Sequence, residues 1–118
     1  MTATTKNLGF WGKLNRPIFA LAPMHEVTDC VYRYLIAKHG KPDVMFTEFV
    51  SCDGLCSRGK ENLLIHLKYA PIERPIVAQI FGKKPELFVK TAQLLQELGF
   101  DGIDINMGCP VKAIVSNG

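Results

Sequence analysis

Residues 75–106, PIVAQIFGKKPELFVKTAQLLQELGFDGIDIN, decide the fold. Pro75 introduces the run Ile76 to Phe81, and Gly82 ends it. A short apolar-rich run bounded by turn residues reads as a buried strand. Pro85 suits the first turn of a helix, where its missing N–H would have no partner to lose. Leu87, Phe88, Thr91, Ala92, Leu94, Leu95 and Leu98 recur at helical spacing and give that helix a broad apolar face. Gly99 caps it, and residues 102–106 form a further strand. Strand, helix and strand in this order predict a parallel pair joined by a right-handed crossover.

The same rhythm extends towards the N-terminus. Residues 18–21 are a short apolar strand closed by Pro23. Thr28 stands at an N-cap position, with Asp29 in the first turn where the helix dipole favours it. Val31, Tyr34 and Leu35 follow at helical spacing, and Gly40 and Pro42 close the segment, so a helix is predicted over 28–39. Residues 44–50 read as the next strand. A loop with Asp53-Gly54 and Arg58-Gly59 follows, then a short helix around 61–67. The order is βαβαβαβ. Residues 1–16 are a polar, irregular extension whose Phe10-Trp11 pair suggests a short helix lying on the body, which spans 17–118.

Composition bounds the function. The 118 residues are 47% apolar and 21% charged, the balance of one globular unit rather than a disordered chain. No apolar run approaches the roughly 20 residues that cross a bilayer, so no membrane association is expected. The N-terminal pattern is not that of a secretory leader, which makes the cytoplasm the expected location. The net charge of +3 is compatible with a nucleic-acid partner without arguing for one. Cys52 and Cys56 form a C-x3-C pair, but no second pair completes a four-ligand zinc set. No metal site is expected, and the thiols are read as free.

A βα alternation leaves two architectures, a doubly wound sheet or part of a (β/α)8 barrel of the TIM type. The doubly wound reading wants a glycine-rich turn after the first strand. Here that turn is Ala22-Pro23-Met24-His25-Glu26-Val27, without glycine. Glu48, Gln79 and Asn106 each stand at the C-terminal end of a successive strand, and in a barrel that rim is where ligands bind. The pattern favours the barrel.

Four motifs then point to a family. Ala22 to Asp29 followed by Arg33, Thr47 to Val50, Pro75 to Gly82, and Asp104-Ile105-Asn106-Met107-Gly108-Cys109-Pro110 resemble, in order and spacing, the tRNA-dihydrouridine synthases. The resemblance covers nearly all of 17–118. It implies a flavin-bearing TIM barrel, FMN as cofactor, NADPH as reductant and tRNA as substrate, with uridine reduced to 5,6-dihydrouridine. By match to the motifs it implies Cys109 as the proton donor to uracil C5 and Asn106 as the contact to the base. It implies that Gln79 hydrogen-bonds the flavin ring and that Pro23, Met24 and His25 run along it. Family members commonly have a small or acidic residue at position 25, so only the backbone role carries over to His25. A thiol suits the acid role because it holds its proton at neutral pH. Glu48 and Ser51 are read as rim residues without an assigned role, and Lys112 is read as a solvated lysine, with contact to a tRNA phosphate as the alternative.

A full barrel takes about 250 residues. The chain therefore reads as the first four βα units, an N-terminal half-barrel fragment expected to be inactive alone. The family's flavin-binding lysine and histidine, its phosphate-gripping glycines and its helical domain would lie beyond Gly118. Two other readings stand beside this one. The first is another FMN barrel such as a dihydroorotate dehydrogenase, and the second is a non-catalytic half-barrel that serves as an assembly module.

Overall fold

The computed structural model describes residues 7–108. Five strands form one parallel sheet: β1 (Ala20–Leu21), β2 (Val44–Phe46), β3 (Val50–Ser51), β4 (Ile76–Phe81) and β5 (Gly102–Ile105). The helices are α1 (Cys30–Gly40), α2 (Cys52–Leu55), α3 (Lys60–Leu63) and α4 (Pro85–Glu97). Short 3-10 turns lie at Gly9–Lys13, Leu64–Leu67 and Pro71–Glu73. β1 pairs with β2, β2 and β3 both pair with β4, and β4 pairs with β5 on its other side. The order therefore follows the chain and never reverses, so these strands have no switch point of the kind a doubly wound sheet uses.

The faces of β4 show where the layers sit. Ile76, Ala78 and Ile80 point to one side, where they join Ala37 of α1, Leu55 of α2 and Leu95 of α4 in the apolar core. Helices from before and after β4 thus cover the same face of the sheet, the arrangement of a barrel wall. The opposite face carries Val77 and Gln79, two apart and so on one side of the strand. The N-terminal 3-10 turn closes the lower part of that face. A β-carbon on Gly102 would lie 3.0 Å from the Phe10 ring and 3.3 Å from Val77. Glycine at 102 is what admits Phe10, and Trp11 stacks on Phe10 at 4.7 Å. Phe10 of the extension thus lies on the body, as its aromatic pair suggested.

Three local expectations are corrected. The strand predicted over 44–50 is broken. Met45 and Phe46 face Ile76 and Val77, whereas Val50 and Ser51 face Ile80 and Phe81. Thr47, Glu48 and Phe49 therefore oppose only Ala78 and Gln79, which is a bulge, and a bulge re-aims side chains at a sheet's rim. The N-cap of α1 is Asp29, whose carboxylate accepts from Tyr32 N–H at 2.8 Å. Thr28 is unavailable because its hydroxyl accepts Met24 N–H at 2.9 Å and donates to Met24 carbonyl at 3.1 Å. Finally, Cys52–Leu55 is a short helix rather than loop, with Ser51 Oγ accepting from Gly54 N–H at 3.2 Å. The helix expected around 61–67 is α3 followed by a 3-10 turn. Helix α4 follows its prediction closely, with Pro85 in its first turn. Gly99, at φ +82°, adopts the left-handed conformation that ends a helix.

Candidate functional site

Parallel strands bring all their C-terminal ends to one rim, and the residues singled out there separate into two groups. The first is on the sheet face opposite the helices. Gln79, expected at the strand's end, lies inside β4, two residues before Phe81 closes it, with only 8% of its surface exposed. Its backbone N–H is held by Thr47 Oγ1 at 3.1 Å, so the bulge fixes it from one side. Asn106 follows β5, and its backbone N–H continues the ladder to Ile80 carbonyl at 2.9 Å. The two side chains meet: Asn106 Nδ2 donates to Gln79 Oε1 at 3.3 Å. Gln79 Nε2 in turn donates to Asp104 Oδ2 at 2.5 Å. Asn106 Oδ1 accepts Gly108 N–H at 3.1 Å. Asp104 has no assigned role in the sequence reading. Its signal was available, since residues 104 and 106 lie two apart on a strand and so share a face.

The second group braces the turn after β1. Glu48 is 4% exposed, and its Oε1 accepts Glu26 N–H at 2.5 Å. His25 Nδ1 lies 3.7 Å from Glu48 Oε1, and His66 Nδ1 lies 3.5 Å from Oε2. Glu26 takes a left-handed φ of +60°, uncommon for a residue with a side chain. The strain is held by this carboxylate and by Val27 and Thr28 N–H groups, which both donate to Met24 carbonyl. The His25 ring packs on Phe49 at 4.8 Å, and Phe49 meets Phe81 edge-on at 5.2 Å. Glu48 thus shapes the Pro23–Val27 turn from below rather than joining Gln79 and Asn106.

The turn itself exposes Met24 and Val27 beside the still more exposed side chains of His25 and Glu26. Met24 N–H and carbonyl are both engaged by Thr28 and Val27, and its side chain is half-exposed. Pro23 beside it is partly buried. Cys109 and Lys112 lie outside the described residues, so the proposed proton donor is reached only as far as its neighbour Gly108. Cys52 and Cys56 are both free thiols. Burial pushes the Cys52 thiol above its ordinary pKa, a pull that the Thr91 hydrogen bond partly opposes. Neither lies at the rim site. Among the described residues no helix is long and apolar enough to cross a membrane, and no cluster of three His, Cys, Asp or Glu could hold a metal ion.

What this rim can do follows from its groups. An amide offers a donor and an acceptor on one planar end. Two such ends side by side match the alternating carbonyl and N–H edge that pyrimidine and flavin rings both present. The donor set therefore fits the ring portion of a flavin, with Pro23 and Met24 as an apolar flank. A sequentially ordered parallel sheet with its helices on one face and its polar groups at the C-terminal rim is the ligand-bearing wall of a (β/α)-barrel protein.

Comparison with known proteins narrows that class. Residues 20–118 match the family described as dihydrouridine synthase, and the chain belongs to that family, whose fold is a TIM barrel. It is 49% identical over 110 residues to the probable tRNA-dihydrouridine synthase 2 of Bacillus subtilis (strain 168). It is 44% identical over 110 residues to the probable tRNA-dihydrouridine synthase of Staphylococcus aureus (strain COL). A Staphylococcus epidermidis (strain ATCC 12228) protein of the same description is 43% identical over 110 residues. Each match covers 92% of this chain and 34% of the relative, so the chain spans about a third of the length of the curated relatives it matches. The family match decides against the dihydroorotate dehydrogenase reading.

Proposed function

We propose that this chain forms the first four βα units of a TIM barrel that reduces uridine in tRNA to 5,6-dihydrouridine, with FMN as cofactor and NADPH as reductant. The observation that carries the reading is the meeting of the Gln79 and Asn106 amides on the inner face of the rim. When bound, FMN supplies the hydride that adds to uracil C6. Gln79 would hydrogen-bond the flavin ring, and Pro23, Met24 and the backbone of His25 would flank it. Asn106 would hold the uracil edge through the amide donor and acceptor positions it does not spend on Gln79 and Gly108. Cys109, one residue beyond Gly108, would give its thiol proton to C5 as the hydride arrives at C6. The electron pair of the C5=C6 bond takes up that proton, and the thiolate regains one from solvent.

The experiment is a single-turnover assay on unmodified tRNA, using pre-reduced protein expressed from its whole gene. Cys109→Ala should lower uridine reduction about 100- to 10,000-fold, the usual loss for a positioned acid. It should leave the reduction of bound flavin by NADPH nearly intact. Wild-type protein that retains no FMN and forms no dihydrouridine would overturn the reading. So would a Cys109→Ala variant that reduces uridine at the wild-type rate.

A further inference from the structure

The hydrogen bonds at the rim form a relay with a fixed direction. A carboxylate accepts and cannot donate, so Gln79 must turn its NH2 group to Asp104 Oδ2. Gln79 Oε1 then faces Asn106, which must answer with its own NH2. That leaves Asn106 Oδ1 to accept from Gly108 N–H, and a backbone N–H can only donate. The two ends agree: the carboxylate at one and the peptide N–H at the other allow a single orientation of both amides.

We propose that Asp104 is a positioning residue that sets which end of the Gln79 and Asn106 amides faces the ligand. The proposal rests on the reading that Gln79 faces flavin and Asn106 faces the base. A rotated amide presents a donor where the ring presents a donor, so the same residues in the wrong orientation would repel their ligand. Gln79 is buried, and Asp104, at 2.5 Å, is nearer to its side-chain amide than Asn106, at 3.3 Å. Without the carboxylate, the Gln79 amide loses the only group in the relay that forbids rotation from its side. The adjacent residues point elsewhere: Ile103 and Ile105 lie on the other face of β5, so Asp104 alone in that strand can reach Gln79.

The test compares wild type, Asp104→Leu and Asp104→Asn, each expressed from the whole gene. Side-chain amide signals of Gln79 and Asn106 are read by 15N NMR on flavin-free protein. FMN retention, the visible flavin spectrum, KM for tRNA and kcat are read on loaded protein. Asp104→Leu should speed exchange of the Gln79 amide protons, shift the Asn106 signals and displace the flavin absorption band. It should lower kcat for uridine reduction about 10- to 100-fold, as small misplacements do. Asp104→Asn keeps the shape but can turn its own NH2 to Gln79, so it restores packing without the one-way constraint and should stay impaired in the amide signals and kcat. The proposal is overturned if Asp104→Leu leaves the amide signals and kcat unchanged. It is equally overturned if Asp104→Asn matches wild type in the amide signals and kcat, which would mark a role in packing rather than in orientation. If wild type holds no FMN and makes no dihydrouridine, the functional reading fails, and the flavin-free amide signals separate that outcome from failure of the relay.

Discussion

Replacing Glu73 by glutamine should cost the protein about 3–5 kcal/mol of stability, although the change removes one charge and no volume. Arg33 and Glu73 are 0% and 1% exposed. Arg33 Nε donates to Glu73 Oε2 at 2.7 Å, one terminal nitrogen donates to Thr28 carbonyl at 2.8 Å, and the other donates to Lys68 carbonyl at 2.6 Å. Glu73 Oε1 accepts Ala70 N–H at 2.7 Å. Both carboxylate oxygens thus face donors. An amide has one oxygen, so Glu73→Gln turns an NH2 group on either Arg33 or Ala70 while leaving a buried guanidinium without its counter-charge. The cost is large because neither partner has water to fall back on. It is also a large share of a typical total stability of about 5–15 kcal/mol. The pair binds α1 to the turn that introduces β4, and α1 follows directly on the turn bearing Met24. Urea unfolding of wild type, Glu73→Gln, Arg33→Met and the double variant measures it. The double variant should cost less than the two single losses combined, because each single loss includes a stranded charge. A Glu73→Gln cost below about 1 kcal/mol would refute the reasoning, since that is the range of a solvent-screened pair.

Three further outcomes are expected. Arg74 hydrogen-bonds Asp101, which also accepts Ile76 N–H at 2.9 Å, and the arginine first and that N–H next hold the carboxyl below its ordinary pKa of 3.8. The folded value being lowered, this stabilisation is present above the ordinary value and is lost as pH falls through the folded one. Asp101→Asn should therefore flatten the acid end of a stability–pH curve below about pH 4 and leave its slope at neutral pH unchanged. Cys56 is exposed while Cys52 is buried with a raised pKa, so iodoacetamide at pH 8 should label Cys56 well before Cys52; equal rates by peptide mapping would contradict the placement. Gly102→Val would drive its side chain into Phe10 and Val77, and thermal unfolding should show a loss of about 1–3 kcal/mol that a Phe10→Ala change partly relieves.

The βα alternation, the bounds of α4 and the polar rim were legible in the sequence. The signals behind them act over a few residues: Pro85 needs only its own ring to suit a first helical turn, and Gly99 only its missing side chain to end the helix. Gln79 and Asn106 stood out because a polar residue within or just after an apolar strand is visible from its neighbours alone. Asp29 shows where local reasoning stops. Thr28 is also a capping residue by type, and it lost the position because Met24, four residues back, had claimed its hydroxyl. The bulge at Thr47–Phe49 depends on register against β4, which no single strand specifies. Arg33 with Glu73, Asp104 with Gln79 and Phe10 over Gly102 join residues far apart along the chain. Only the packed sheet decides such pairs. Backbone preferences reach about one turn of helix, whereas a cross-strand contact exists only after burial of Ile76, Ala78 and Ile80 has set which strand lies beside which and in what register.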